Sequence, residues 1–181
     1  MTKIIVDEAA ILKQLSNLDA NKSAGPDNIY LRLLKEVANV ITAPLKNIFQ
    51  SSLDSSTILS DWKEAHVAPI FKKGDKSRAE NYRPICLTSV VAKLLKRIVN
   101  DAIYDHLTTH MILSNNQHRF HCKKLVETNL LETYNIITNL LDTGIPVDLI
   151  LLDLAKAFDK VPHRRLCIKL LSADLNQMMV N

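Results

Sequence analysis

Glycine is scarce in this chain: three occur in 181 residues, at positions 25, 74 and 144, and each falls between patterned segments. So placed, they mark turns. No internal repeat or low-complexity tract is present, which excludes a solenoid. Cysteine is equally rare. Cys86, Cys122 and Cys167 lie far apart and fit no CxxC spacing, so reduced, packed thiols are expected. No apolar run reaches the roughly 20 residues that a membrane span needs. The N-terminus, MTKIIVDEAAILKQL, carries acids where a signal peptide carries bases and an unbroken apolar stretch. The expectation is an intracellular protein without a membrane partner, nucleus and cytoplasm not being separable. Net charge is only +4. That permits a phosphate-bearing partner without arguing for one, so the clustering of the bases matters more than their number.

Apolar residues make up 47% of the chain, enough for one domain, or for a subdomain and part of another, with a real core. Ala9, Ile11, Leu12, Leu15 and Leu18 recur at helical spacing over 6–18, with Asp7 placed to cap. The turn formers NKSAGPDNI (21–29) predict a defined loop. Leu33, Leu34, Val37 and Ile41 form a second stripe, and Pro44 is expected to start a helix carrying Leu45, Ile48 and Phe49. Residues 66–71 (HVAPIF) alternate and read as a strand, with Pro69 favouring an edge. KKGDKSRAENYR has the composition of a flexible hairpin tip, and ICLTS the pattern of a returning strand. Residues 91–107 form the clearest helix, with Val91, Leu94, Leu95, Ile98, Ala102, Ile103 and Leu107 on one face. A second long helix is predicted over 128–141, ended by Thr143 and Gly144 with Pro146 beyond. VDLILLD (147–153) reads as a buried strand, followed by a helix over 162–171. The class is α+β, helix-rich, with helices preceding and flanking a small sheet.

Asp153 closes that apolar run, and burying an acid is costly unless it binds a cation or finds donors. A helix cap or a turn residue is the simpler reading of the position. The surrounding DLILLDLAKAFDKVPH, however, resembles the palm motif of LINE-type (non-LTR) retrotransposon reverse transcriptases. NKSAGPDNI resembles the N-terminal loop motif of that family. WKEAHVAPIFKKGDKSRAENYRPICLTSVVAKLLKRIV resembles its fingers hairpin and following helix, and NNQHRF with ETNLL the segment between fingers and palm. KAFD alone is weak, but the matching segments occur in the family's order across about residues 20–170.

The resemblance implies a right-hand polymerase fold, with fingers over 1–125 and an incomplete palm over 126–181. It implies an RNA-directed DNA polymerase whose partners are an RNA template, a DNA primer and a deoxynucleoside triphosphate. Such enzymes use two divalent ions, here Mg2+, to activate the primer hydroxyl and neutralise the leaving pyrophosphate. Asp153 becomes a metal-holding catalytic carboxylate, joined by the Leu154 backbone carbonyl. Phe158 matches a flat steric gate beneath the sugar, although a Phe packing the palm reads equally well. Asp159 is expected to brace the turn. Lys72, Lys73 and Arg83 are the candidates for the triphosphate, Arg83 first, since guanidinium offers a bidentate fork; a solvated basic turn is the plainer reading. Lys22 and Ser23 in the first loop, and Lys93, Lys96 and Arg97 on the long helix, are candidate nucleic-acid contacts; an ordinary loop and a solvated face are the alternatives.

Two departures qualify the match. The family's second carboxylate motif is an F/Y-A-D-D turn, and no two aspartates are adjacent anywhere in this chain. One carboxylate cannot hold two metals, so the chain is expected not to polymerise by itself; a nucleic-acid-binding module without catalysis is the other reading. The glycine that usually follows QH is here Arg119, a poor fit if that position needs positive φ.

Overall fold

The computed structural model describes residues 3–121, 124–154 and 157–180, except for the side chain of Met178. Cys122, and Ala155 with Lys156 of the KAFD segment, lie outside the described residues. The chain forms two compact units, Met1–Asp105 with Asp174–Asn181, and His106–Ala173. Compactness is a different criterion from the motif boundary expected at 125/126.

In the first unit, the Asp7 carboxylate accepts the Ala10 N–H and starts α1 (Glu8–Ser16), which buries Ile11 and Leu15. α2 (Leu31–Glu36) and α3 (Ala38–Asp54) follow. Leu31, Leu34, Ala38, Thr42, Leu45 and Phe49 are their buried residues, spaced three and four apart as one continuous stripe. The stripe expected from the sequence is therefore corrected in phase. Leu33 and Ile48 are exposed, because Leu31 and Ala38 take the inward positions. Pro44 is also corrected: it lies inside α3 and does not start it. Its missing N–H would have met the Val40 carbonyl, and Val40 is on the solvent face, where water can satisfy the orphan acceptor. Phe49 is fully buried and meets Trp62 edge-to-face at 5.7 Å. Gln50 ties the N-terminal segment to α3: its amide oxygen accepts from Val6 N–H at 2.9 Å and its NH2 donates to the Ile4 carbonyl at 3.3 Å.

β1 (Ala65–Phe71) and β2 (Tyr82–Thr88) form a two-stranded antiparallel sheet. The Lys72 N–H donates to the Asn81 carbonyl, so the next pair, Phe71 opposite Tyr82, is a non-hydrogen-bonded one. By alternation Pro69 opposite Pro84 is another such pair. Neither proline removes a ladder bond; each removes a donor from an outer edge, which protects a ribbon with two open edges. Ser89 then caps α4 (Val90–Thr109), its hydroxyl accepting the Ala92 N–H. α4 buries Val91, Leu94, Leu95 and Ile98 against the core. α7 (Gln177–Val180) completes this unit.

The second unit contains α5 (Val126–Asp142) and α6 (His163–Ser172), and neither buries a residue. α5 ends at Thr143, followed by Gly144 at φ 75, the left-handed position that glycine fills at no steric cost. The strand expected over 147–153 is not formed. The segment is irregular, and Leu149, Ile150, Leu151 and Leu152 are 60 to 90% exposed. A buried strand needs sheet neighbours on its edges and cover on its faces. Among the described residues the only strands are β1 and β2, which pair with each other. Of the thiols, Cys86 is exposed and Cys167 half-buried, and neither is in a disulfide. The packed environment expected for Cys86 is thus corrected: it lies on a two-stranded ribbon with little cover. Among the described residues no helix is long and apolar enough to cross a membrane.

Candidate nucleic-acid interface

The loop over 20–30 is shaped by its own side chains. Asp19 accepts the Asn21 N–H and Asp27 the Ile29 N–H, both short Asx turns. Asn28 adopts φ 54, and its N–H donates to the Gly25 carbonyl. Gly25 is buried against the junction of β2 and α4, where a Cβ would stand 2.6 Å from the Thr88 carbonyl oxygen and 2.8 Å from the Ser89 backbone. The glycine is there for close approach. That approach docks the loop at the start of α4.

Docking brings together residues that are 70 to 75 positions apart in the chain. Lys22 and Ser23 from the loop, and Lys93 and Arg97 from α4, line one cleft of about 190 Å³ with Asn17 and Asp19. Lys93 and Arg97 stand four apart, one turn above the other on the same helical face. All four candidates are exposed. Among the described residues none of them forms an ion pair. Three cations concentrated against one carboxylate suit a phosphate backbone. Lys96 is separated from this group: it lines a larger, mainly apolar groove of about 410 Å³ with Leu53, Ile58, Leu95, Val99 and Ile103.

The hairpin tip carries several hydrogen bonds of its own. Gly74 takes φ 93. The Asn81 side-chain amide donates to the Asp75 carbonyl at 2.8 Å, and the Tyr82 hydroxyl to the Lys76 carbonyl at 2.9 Å. Asp75 accepts the Ser77 N–H at 2.9 Å, and that bond holds its carboxyl below the ordinary value. Phe71 and Tyr82 meet edge-to-face at 5.5 Å, with the Lys76 ammonium over Phe71. Lys72, Lys73 and Arg83 project exposed from this braced turn, and among the described residues they make no ion pair. Arg83 lies opposite Ile70, on the ribbon face away from the Phe71–Tyr82 pair. Asn81 was not singled out from the sequence; an Asn at the base of a polar turn was the available signal.

In the second unit, Asp153 and Leu154 are exposed on the irregular segment. Among the described residues no group of three or more His, Cys, Asp or Glu could hold a metal ion. One exposed carboxylate and a backbone carbonyl do not make a site for two hard cations, which take several oxygen ligands each. The donor set present therefore does not fit the pair of ions expected, and no step is built on them.

The same unit contains a cluster that sequence reasoning did not assign. His118 is buried, with Nδ1 3.2 Å from Thr128 Oγ1 and Nε2 3.0 Å from Glu132 Oε2. A carboxylate only accepts, so Nε2 carries the proton donated to Glu132. Thr128 also accepts the Leu125 N–H, capping α5. His118 thereby pins the NNQHRF loop to α5. The histidine inside that motif, and the i, i+4 spacing of Thr128 and Glu132, were the signals available. Positive φ in this loop falls on Phe120 (φ 61), one residue beyond Arg119. The conflict expected at Arg119 does not arise there. Phe158 is 79% exposed, and its ring stands edge-to-face with Phe120 at 6.1 Å.

A family model described as reverse transcriptase (RNA-dependent DNA polymerase) matches residues 70–181. Over 160 residues the chain is 28% identical to a Drosophila melanogaster protein named as a probable RNA-directed DNA polymerase from transposon BS, an alignment covering 88% of this chain and 18% of that protein. The chain thus spans less than a fifth of that relative's length.

Proposed function

The chain belongs to the reverse transcriptase (RNA-dependent DNA polymerase) family, and from that premise we propose that it grips template backbone and incoming nucleotide for a non-LTR retrotransposon polymerase. In this reading residues 1–125 are fingers and 126–181 belong to the palm of the right-hand fold. The observation that carries it is the single cleft lined by Lys22, Ser23, Lys93 and Arg97. These residues come from separate motifs, and a cleft rich in cations that form no ion pair among the described residues is what a phosphate backbone needs. Lys72, Lys73 and Arg83 take the triphosphate of the incoming nucleotide. Their turn is braced through Asn81 and Tyr82, which lowers the ordering cost of meeting a ligand. Within the second unit taken by itself, Phe158 is read as the flat surface for a sugar. Asp153 and the Leu154 carbonyl are one contribution to a divalent-metal centre that needs further carboxylates, so this chain alone does not extend a primer.

The test is fluorescence anisotropy of the full 181-residue chain with a labelled RNA–DNA duplex. Affinity is expected to fall steeply with salt, as released counterions require. Lys93→Ala with Arg97→Ala should weaken binding about equally for unrelated duplex sequences and flatten the salt dependence, by a slope of roughly one for each lost phosphate contact. Binding indifferent to salt and to both substitutions would sink the reading. Primer extension by the same preparation, with or without Mg2+, is expected to be absent.

A further inference from the structure

We propose that Phe120 is a positioning residue for sugar discrimination, holding the Phe158 ring at the angle from which it rejects a ribonucleotide. This rests on the reading of Phe158 as the surface beneath the sugar. A flat ring excludes a 2′-hydroxyl only while its plane is fixed. Phe158 is 79% exposed, and an exposed aromatic side chain otherwise changes rotamer on the picosecond to nanosecond scale. Among the described residues Phe158 has a ring contact with Phe120, at 6.1 Å between centroids and 88° between planes, the perpendicular geometry that aromatic quadrupoles favour.

Phe120 is itself held. Two residues before it, His118 is buried and clamped to Thr128 and Glu132 of α5. The Arg119 guanidinium lies 5.6 Å from the centre of the Phe120 ring. The Phe120 backbone sits at φ 61, a conformation rare for an aromatic residue and kept only where surrounding contacts dictate it. A line of support therefore runs from α5 through His118 to Phe120 and on to Phe158. Without the Phe120 ring, Phe158 can tilt into the vacated space, and a 2′-hydroxyl finds room. Deoxynucleotide binding, which needs no such room, changes little.

The experiment compares dGTP with GTP binding to the full chain by calorimetry, for the wild type and for Phe120→Leu, Phe120→Tyr and Phe158→Ala. Phe120 is 68% exposed, and Leu keeps apolar bulk without the ring; helical circular dichroism checks the fold. Phe158→Ala should bring the dGTP:GTP affinity ratio close to one. Phe120→Leu should lower the ratio about three- to tenfold, the range expected for loss of one aromatic pair, mainly by tightening GTP. Phe120→Tyr, which restores the ring, should restore the ratio. If Phe158→Ala alters the ratio while Phe120→Leu does not, Phe120 has no part and the sugar-contact reading of Phe158 stands. If the wild type shows no preference or no binding, or Phe158→Ala leaves the ratio unchanged, that reading fails and the Phe120 proposal fails with it.

Discussion

Gly25 illustrates how one residue assembles a site it does not touch. With 2.6 Å between a would-be Cβ and the Thr88 carbonyl, any side chain must push the 20–30 loop away from α4. That displaces Lys22 and Ser23 from Lys93 and Arg97. Gly25→Ala is expected to destabilise the fold by about 1–3 kcal/mol, the usual cost of overpacking, and to weaken duplex binding as the cleft opens. Urea unfolding followed by circular dichroism reads the first effect, and anisotropy the second. An unchanged midpoint would mean that the loop packs against α4 far more loosely than the backbone indicates. At this scale the sequence was informative about chemistry. Lys22, Ser23, Lys93 and Arg97 were each named from their motifs. The role of Gly25 in joining them was not legible, since a glycine needed for close approach looks the same in sequence as one that merely turns the chain.

The hairpin shows what an element adds. KKGDKSRAENYR reads as a solvated basic turn, yet Asp75, Asn81 and Tyr82 convert it into a braced platform. Asp75 is held below its ordinary value by the Ser77 N–H, so the folded turn keeps its carboxylate ionised at pH values where the unfolded chain has begun to protonate. Its contribution to the turn is complete above the ordinary carboxylate pKa of about 4, and is lost as pH falls through the lower folded value. NMR across an acid titration should therefore show the Ser77 amide resonance holding its position to below about pH 4 and then moving. In Asp75→Asn that transition should disappear. A Ser77 resonance that titrates at the ordinary carboxylate value would remove the bracing role of Asp75. Strand pairing itself was legible from alternation and from Pro69, because a two-stranded ribbon depends mainly on local pattern and turn chemistry.

For the whole molecule, the contrast between the two units dominates. The first has a shared core in which Phe49, Ile11 and Leu15 are fully buried. In the second, α5 and α6 bury nothing, and Leu130, Leu131, Tyr134 and Ile150 to Leu152 are exposed. Apolar exposure on this scale favours association. The chain is expected to self-associate as concentration rises and to bind a hydrophobic dye, with sedimentation velocity as the measure. Ile150→Lys with Leu152→Lys should reduce association without lowering the melting temperature of the first unit, whose core contains neither residue. A wild-type chain that stays monomeric and dye-free would contradict this.

The amino-acid sequence alone determined the family, the hairpin, the helices apart from the division between α2 and α3, which Pro44 obscured, and the residue types available for phosphate and sugar. All of these are local: periodicity, turn formers and ordered motifs survive in a linear string. Tertiary structure decided which of those residues meet. It joined Lys22 and Ser23 to Lys93 and Arg97 while leaving Lys96 apart. It placed Phe120 against Phe158, and left residues 147–153 without strand form. Meetings of that kind depend on packing between distant segments, and an apolar run becomes a strand only when neighbours complete its hydrogen bonds.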